Sequence, residues 1–391
     1  MKIRNKAILL IAVFALIVAA CSDDDSDDTT TTAAGGEETT TTAAEETTTT
    51  AGEETTTTAG DETTSSVAAL DGSGTLICQV TDTGGVDDRS FNESAWRGVQ
   101  EAVDAFGIDS KVLESQTEAD YATNISSLVE EGCDLIFTIG FLLGDATAVA
   151  SEANPDVPFS IIDFAYDPEI TNVRAHVYAT AEAAFLAGYA AAGVSETGIL
   201  GTYGGIDVGP AVTDFMDGYV WGARYYNEQK GTDVQVLGWD PDTKEGVFVG
   251  NFESVEDGRT TGQSLADEGA DIILPVAGPV GQGTAAVAQE RGDLLVVGVD
   301  SDWFFSNSQY SDVILTSVLK KIDASVFQTI EAFLAGEFAG GTTLNTLEND
   351  GVGLAPFHDF ESDVPAELLA ELEEIAVGIV DGSIDIVIPG S

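Results

Sequence analysis

From Thr75 onward, short apolar runs alternate with amphipathic stretches, and this alternation constrains the fold more than any other feature of the chain. The apolar runs predict strands over 75–81, 111–114, 135–139, 159–162, 199–202, 234–237, 272–275 and 295–299. Between and after them, the 3.6-residue period predicts helices over 92–106, 121–131, 145–154, 181–193, 211–230, 259–268, 281–291 and 317–335. Strands alternating with helices define an α/β protein built on parallel sheets. Residues 75–391 number 317, too many for one typical core. Two four-strand series in tandem therefore predict two doubly wound, Rossmann-like lobes joined by a hinge, with a cleft between them.

The first strand runs into VTDTGGVDDRSFNESAW (80–96). Gly84 and Gly85 supply a sharp turn. Ser90 or Asn92 can cap the following helix, and Glu93 stands three residues after Ser90, as a capping box requires. Ligands of open parallel sheets bind just beyond the carboxyl ends of strands. Asp82, Asp87, Asp88, Phe91 and Asn92 are therefore placed where a first loop meets a ligand.

The chain ahead of this region is of another kind. Lys2, Arg4 and Lys6 precede an apolar run over 7–20 that is short for a membrane span. It ends Val18-Ala19-Ala20-Cys21, which resembles a bacterial lipobox and implies an export signal over 1–21 with Cys21 lipidated. A lipid anchor would hold the protein on the extracytoplasmic face of the cell membrane, or in the periplasm where two membranes are present. Residues 22–73 are acidic and Thr-rich, with an eight-residue unit EETTTTA(A/G) beginning at Glu37, Glu45 and Glu53. They lack the apolar side chains a core needs and are expected to form a disordered tether. As a flexible coil its root-mean-square span is roughly 40 Å, and like charges would extend it.

Residues 67–391 hold 55 acidic and 11 basic residues, a net charge of −44. Such a surface repels nucleic acid and anionic lipid, and suits a high-salt setting. Cys78 lies inside the first strand and Cys133 just before the third. A simple register sets their sulfurs several residues apart, so both read as small buried residues, with a disulfide as the alternative. His176 and His358 stand alone, and no metal-ligand spacing, G-x-S-x-G or P-loop is present. No cofactor is implied.

Carboxylates, aromatics and glycines gather at the predicted strand ends. Carboxylates accept paired hydrogen bonds from vicinal hydroxyls, aromatic faces stack on planar rings, and glycines admit close backbone approach. This suits a neutral, hydroxyl-rich, planar molecule such as a nucleoside. A phosphate facing so many carboxylates would be repelled.

Five segments in order resemble one family: VTDTGGVDDRSFNESAWRGVQEA, PAVTDFMDGYVWGARY, EGADIILPVAGPVGQG, VVGVDSD and TSVLKK. They are similar to the basic membrane protein family, the substrate-binding lipoproteins of ABC importers related to purine-nucleoside-binding lipoproteins. The resemblance implies a type I periplasmic-binding-protein fold, with lobe 1 over 74–180 plus about 303–340 and lobe 2 over 181–302 plus about 341–391. It implies a binding protein rather than an enzyme, monomeric, with an ABC permease and its ATPase as partners. By position, Phe91 and Phe252 would stack on the base. Asp88, Asn92 and Asp163 would bond the polar edges of base or sugar, and Asp300 and Lys320 would grip the ribose. Gly278 would offer backbone contact, and Asp82 would touch the base or only order its loop. The segment WDPDTKEGVF (239–248) departs from the family as an extra loop just ahead of Phe252. A sugar-binding protein, a ligand-sensing receptor subunit and a nucleoside hydrolase are the competing readings; release of free base would mark the last.

Overall fold

The computed structural model describes residues 70–387. The export signal, Cys21 and all but the end of the tether lie outside the described residues. The strands are β1 (Leu76–Thr81), β2 (Asp109–Leu113), β3 (Leu135–Ile139), β4 (Phe159–Ile162), β5 (Val173–Tyr178), β6 (Ile199–Gly204) and β7 (Gln235–Leu237). Then come β8 (Trp239–Asp240), β9 (Glu245–Gly246), β10 (Ile272–Val276), β11 (Leu295–Asp300), β12 (Ile314–Lys320), β13 (Gly341–Asn345) and β14 (Val352–Leu354). The helices are α1 (Phe91–Phe106), α2 (Tyr121–Glu131), α3 (Gly144–Ala153), α4 (Thr180–Val194) and α5 (Pro210–Lys230). They continue as α6 (Val255–Asp267), α7 (Gly281–Arg291), α8 (Trp303–Ser306), α9 (Ile322–Leu334) and α10 (Ala366–Asp381). Among the described residues, no helix is long and apolar enough to cross a membrane.

Two six-stranded sheets carry the lobes, in the orders β13-β5-β4-β3-β1-β2 and β14-β12-β11-β10-β6-β7. The first is parallel throughout, and the second is parallel except for β14, which runs against β12. Central strands such as β3 are buried on both faces, which is why they read as nearly continuous apolar runs rather than as alternation. The α/β class and two-lobed architecture expected from the sequence are present.

The chain passes between the lobes three times: from β5 into α4, from β12 into α9, and from β13 into β14. This corrects the boundaries drawn above. Residues 303–320 belong to lobe 2, because β12 pairs with β11, and β13 belongs to lobe 1, because it pairs with β5. The helix expected over 317–335 also starts later. Ile314, Leu315, Thr316 and Val318 are fully buried in the second sheet, and the helix begins only at Ile322. Burial in a sheet overrides the helical period when a strand and helix abut without a glycine or proline between them.

α4 is apolar nearly all round, and twelve of its 15 residues are buried. It packs on α5 through glycines: a Cβ added at Gly188 would lie 2.0 Å from the Tyr219 carbonyl oxygen.

Cys78 and Cys133 form a disulfide, against the preferred reading of two free buried thiols. The ladder sets Cys78 beside Ile136, so register alone does separate them. Gly132, at φ +86°, ends α2 and turns the chain before β3, which leaves Cys133 off the ladder with its Cα 5.9 Å from that of Cys78.

Candidate functional site: a cleft between two lobes

The carboxyl ends of β1, β3 and β4 face those of β6, β10, β11 and β12 across a cleft of about 640 Å³, part of it open to solvent. All nine expected ligand residues line it: Asp82, Asp88, Phe91, Asn92, Asp163, Phe252, Gly278, Asp300 and Lys320.

The first loop is built around two carboxylates. Ser90 and Glu93 N–H donate to Asp88 Oδ1 at 2.9 and 3.0 Å, and Asn92 N–H donates to Oδ2 at 2.9 Å. Asp88 is therefore the group that satisfies the free N–H groups at the start of α1. The Ser90 side chain makes no capping bond, so the Ser90–Glu93 capping box does not form. The Ser90 hydroxyl instead donates to Asp300 Oδ2 at 2.8 Å, from lobe 1 to lobe 2. Asp82 Oδ1 accepts from Asn92 Nδ2 at 2.8 Å and from Gly84 N–H at 3.2 Å, so this side chain orders its loop while lining the cleft.

These bonds use the Asn92 amide nitrogen and leave its oxygen without a protein partner, although buried. An unpaired buried acceptor is costly, and here it belongs to a residue that lines the cleft. Burial lifts Asp88 to about 7 despite its three backbone donors, and lifts Asp82 to about 6 against the pull of Asn92 and Gly84.

The floor of the cleft holds one cation. Lys320, 2% exposed at its side chain, pairs with Asp163 Oδ2 at 2.5 Å. Its ammonium lies 4.9 Å from the centre of the Phe91 ring, 5.1 Å from Tyr178 and 5.7 Å from Phe215. Aromatic faces stabilise such a cation where water is excluded. Burial raises Asp163 and Asp300 above the usual carboxylate range, and Lys320 opposes it in both. Both aspartates sit at left-handed backbone, φ +69° and +66°, a conformation that aspartate tolerates better than most residues.

Lobe 2 supplies most of the apolar wall. The Phe252 ring lies against Gly205, where a Cβ would stand 2.2 Å from ring carbon Cε1. Gly278, at φ +54°, exposes its backbone, and an added Cβ would meet nothing within 4 Å. Ala211 and Phe215, not among the expected site residues, stand four apart on the cleft face of α5 inside the PAVTDF segment. Phe141, one of the residues gathered after the third strand but not among the expected ligand residues, lines the cleft as well.

The lobes touch elsewhere at the rim. Arg89 Nη1 donates to Gln309 Oε1 at 2.7 Å, the Arg89 carbonyl accepts from Ser301 Oγ at 3.3 Å, and the Asp88 carbonyl accepts from Gln282 Nε2 at 3.4 Å. Two α/β lobes crossed three times by one chain, closing on a polar and aromatic cleft, define a protein of the two-lobed, solute-binding fold.

Comparison with known proteins is consistent with that class. A family described as "ABC transporter substrate-binding protein PnrA-like" matches residues 76–381. The chain is 31% identical over 329 residues to the ABC transporter nucleoside-binding protein BmpA of Lactococcus lactis subsp. cremoris, covering 78% of this chain and 87% of that protein. It is 33% identical over 328 residues to the CD4+ T-cell-stimulating antigen of Listeria monocytogenes, covering 79% and 87%. The crystal structure of an ABC transporter solute-binding protein from Aeropyrum pernix K1 matches with a TM-score of 0.72 and 25% identity, covering 81% of this chain and 94% of that one. The chain belongs to the PnrA-like family of ABC transporter substrate-binding proteins. Members of this family bind substrates outside the cytoplasm and are not enzymes.

Proposed function

We propose that this protein captures a nucleoside, with a purine base preferred, between its two lobes and delivers it to the permease of an ABC importer. The observation that carries the reading is the content of the cleft. Phe91 from lobe 1 and Phe252 from lobe 2 line one space with Asp163, Asp300, Lys320 and the unpaired oxygen of Asn92. Two aromatic faces suit the two faces of a planar base. The carboxylates and the lysine suit ribose hydroxyls, and the Asn92 oxygen suits an N–H on the edge of a base. The name of the Lactococcus relative points the same way. In this reading the protein acts as a monomer, tethered outside the cell membrane by lipid at Cys21. Ligand contacts in both lobes favour the closed state by their differential affinity.

Mass spectrometry of small molecules released from denatured, freshly purified protein tests the proposal, followed by calorimetric titration with adenosine, guanosine, inosine and uridine. A released purine nucleoside, rebound by the emptied protein, is the expected result. A released sugar, together with no heat from any nucleoside, would overturn it. Asp300→Ala should weaken nucleoside binding by about 2–4 kcal/mol through loss of a charge-assisted bond in a dry site; unchanged affinity removes Asp300 from the ribose grip.

A further inference from the structure

The chain between β7 and α6 makes an excursion, and its anchoring bears on Phe252. β8 and β9 pair as a two-stranded antiparallel ribbon. α5 holds this ribbon through residues spaced four and three apart on one stripe of the helix, Asp217, Trp221 and Arg224. Asp217, 3% exposed at its side chain, accepts from Trp239 Nε1 at 2.8 Å and from Lys244 Nζ at 2.5 Å. Lys244 also lies 5.6 Å from the centre of the Trp221 ring, and Arg224 pairs with Asp242 at 2.9 Å.

From this grip the chain leads directly to the cleft. Phe248 meets Trp239 edge-on, with ring centres 5.8 Å apart, and lies over Gly204, where a Cβ would stand 2.4 Å from its ring. Backbone bonds continue the contact: Gly204 N–H donates to the Val247 carbonyl, Val249 N–H to that of Gly204, and Gly250 N–H to that of Gly205. Phe252 then lies on Gly205 and lines the cleft. Both side-chain donors to the buried Asp217 carboxylate come from the ribbon. If the ribbon left, an uncompensated charge would remain in the interior, so the carboxylate holds the ribbon in one place.

We propose that the Asp217–Lys244 pair acts as a positioning device for Phe252, fixing the ring in the pose that receives the ligand. The inference rests on the nucleoside reading for its ligand but not for its geometry. Without Lys244 the ribbon loses the charged tie at its buried end and keeps the Arg224–Asp242 pair, so the approach to Phe252 loosens and ordering the ring becomes part of the cost of binding. Neither residue touches the ligand; both act through Phe252.

The test uses the full chain with Lys244→Met, which keeps the stem and removes the charge, and with Lys244→Arg. Each is made alone and with Phe252→Ala, and titrated with adenosine, guanosine, inosine and uridine. Hydrogen exchange over residues 245–252 is measured without ligand. Lys244→Met should weaken binding of whichever nucleoside the parent takes by about tenfold. Lys244→Arg should restore most of it, and in the Phe252→Ala background Lys244→Met should add nothing further. Exchange over 245–252 should quicken in Lys244→Met and stay unchanged over the first loop. Equal weakening in both backgrounds, or unchanged binding with unchanged exchange, overturns the proposal. A parent that binds none of the four nucleosides defeats the functional reading instead; exchange then decides the positioning role, and unchanged exchange over 245–252 rules it out.

Discussion

The two lobes invite comparison strand by strand, because their sheets run in matching order. β4 and β11 hold equivalent places, and each hands the cleft an aspartate in left-handed backbone, Asp163 and Asp300. β5 and β12 also correspond, and end in Tyr178 and Lys320, which face each other at 5.1 Å. After β1 and β6 the likeness ends. Lobe 1 follows β1 with a loop ordered by Asp82 and Asp88; lobe 2 follows β6 with a glycine pair and the apolar start of α5. Shared backbone geometry thus sets where the acids stand, and the loops decide what surrounds them. One jaw is polar and self-bonded, and the other is mostly apolar.

The strongest way to break this likeness is to treat its two aspartates alike. Asp163→Ala removes the bonded partner of a buried lysine and should lower stability by about 3–5 kcal/mol, less whatever Asp300 offsets. Asp300→Ala removes the partner of a hydroxyl and should lower it by about 1 kcal/mol or less. Urea midpoints compare the two directly, and equal losses would mean that Lys320 depends on both acids to the same degree.

Next in size is the staple that only lobe 1 carries. The Cys78–Cys133 bridge closes a loop across 55 residues. Reduction should cost about 2–4 kcal/mol of stability, mainly by freeing the unfolded chain. Hydrogen exchange should report the loosening in β1 and α2 but not in β6 and α5.

Phe91→Ala and Phe252→Ala probe the aromatic contribution of each jaw. If both rings stack on a base, each loss should weaken nucleoside binding by about 1–3 kcal/mol. A large effect from only one would assign the base to a single lobe.

A last test concerns the acids of the first loop. Asp82 and Asp88 hold protons more tightly in the folded chain, at about 6 and about 7, than at their ordinary value of 3.8. The folded state therefore binds more protons between those values, and stability falls as pH rises from about 4 to about 7. Asp88→Asn should flatten that slope, read from urea titrations at several pH values. An unaltered slope would show that Asp88 is ionised throughout, held so by its backbone donors.

Strands buried on both faces were legible because mostly apolar residues fit there; β3 and β4 have the predicted bounds. β5, β12, β13 and β14 were not predicted, and neither was the β8–β9 ribbon, which read as a loop. β5 and β13 carry polar residues such as Arg174 and Thr342, and β12 runs into a helix without a breaker. The site aspartates at strand ends were legible because open parallel sheets place ligands there. Which hydrogen bonds those carboxylates make was not. Asp88 takes the capping role assigned to Ser90, and Ser90 reaches the other lobe, a contact between residues 210 apart in the chain. The disulfide stayed hidden for a related reason: register describes ladders, and Cys133 lies off one.

The three crossings also have a mechanical meaning. When one lobe swings on the other, a contact is displaced in proportion to its distance from the swing axis. Lys320 is the last residue of β12 before the second crossing, so it rides close to the axle, and its grip on Asp163 can persist through most of the swing. Arg89 sits out at the rim, where the same rotation becomes a long arc that pulls it from Gln309. The molecule then has a pivot that keeps its charge pair in either position and a rim that must part before anything can enter or leave.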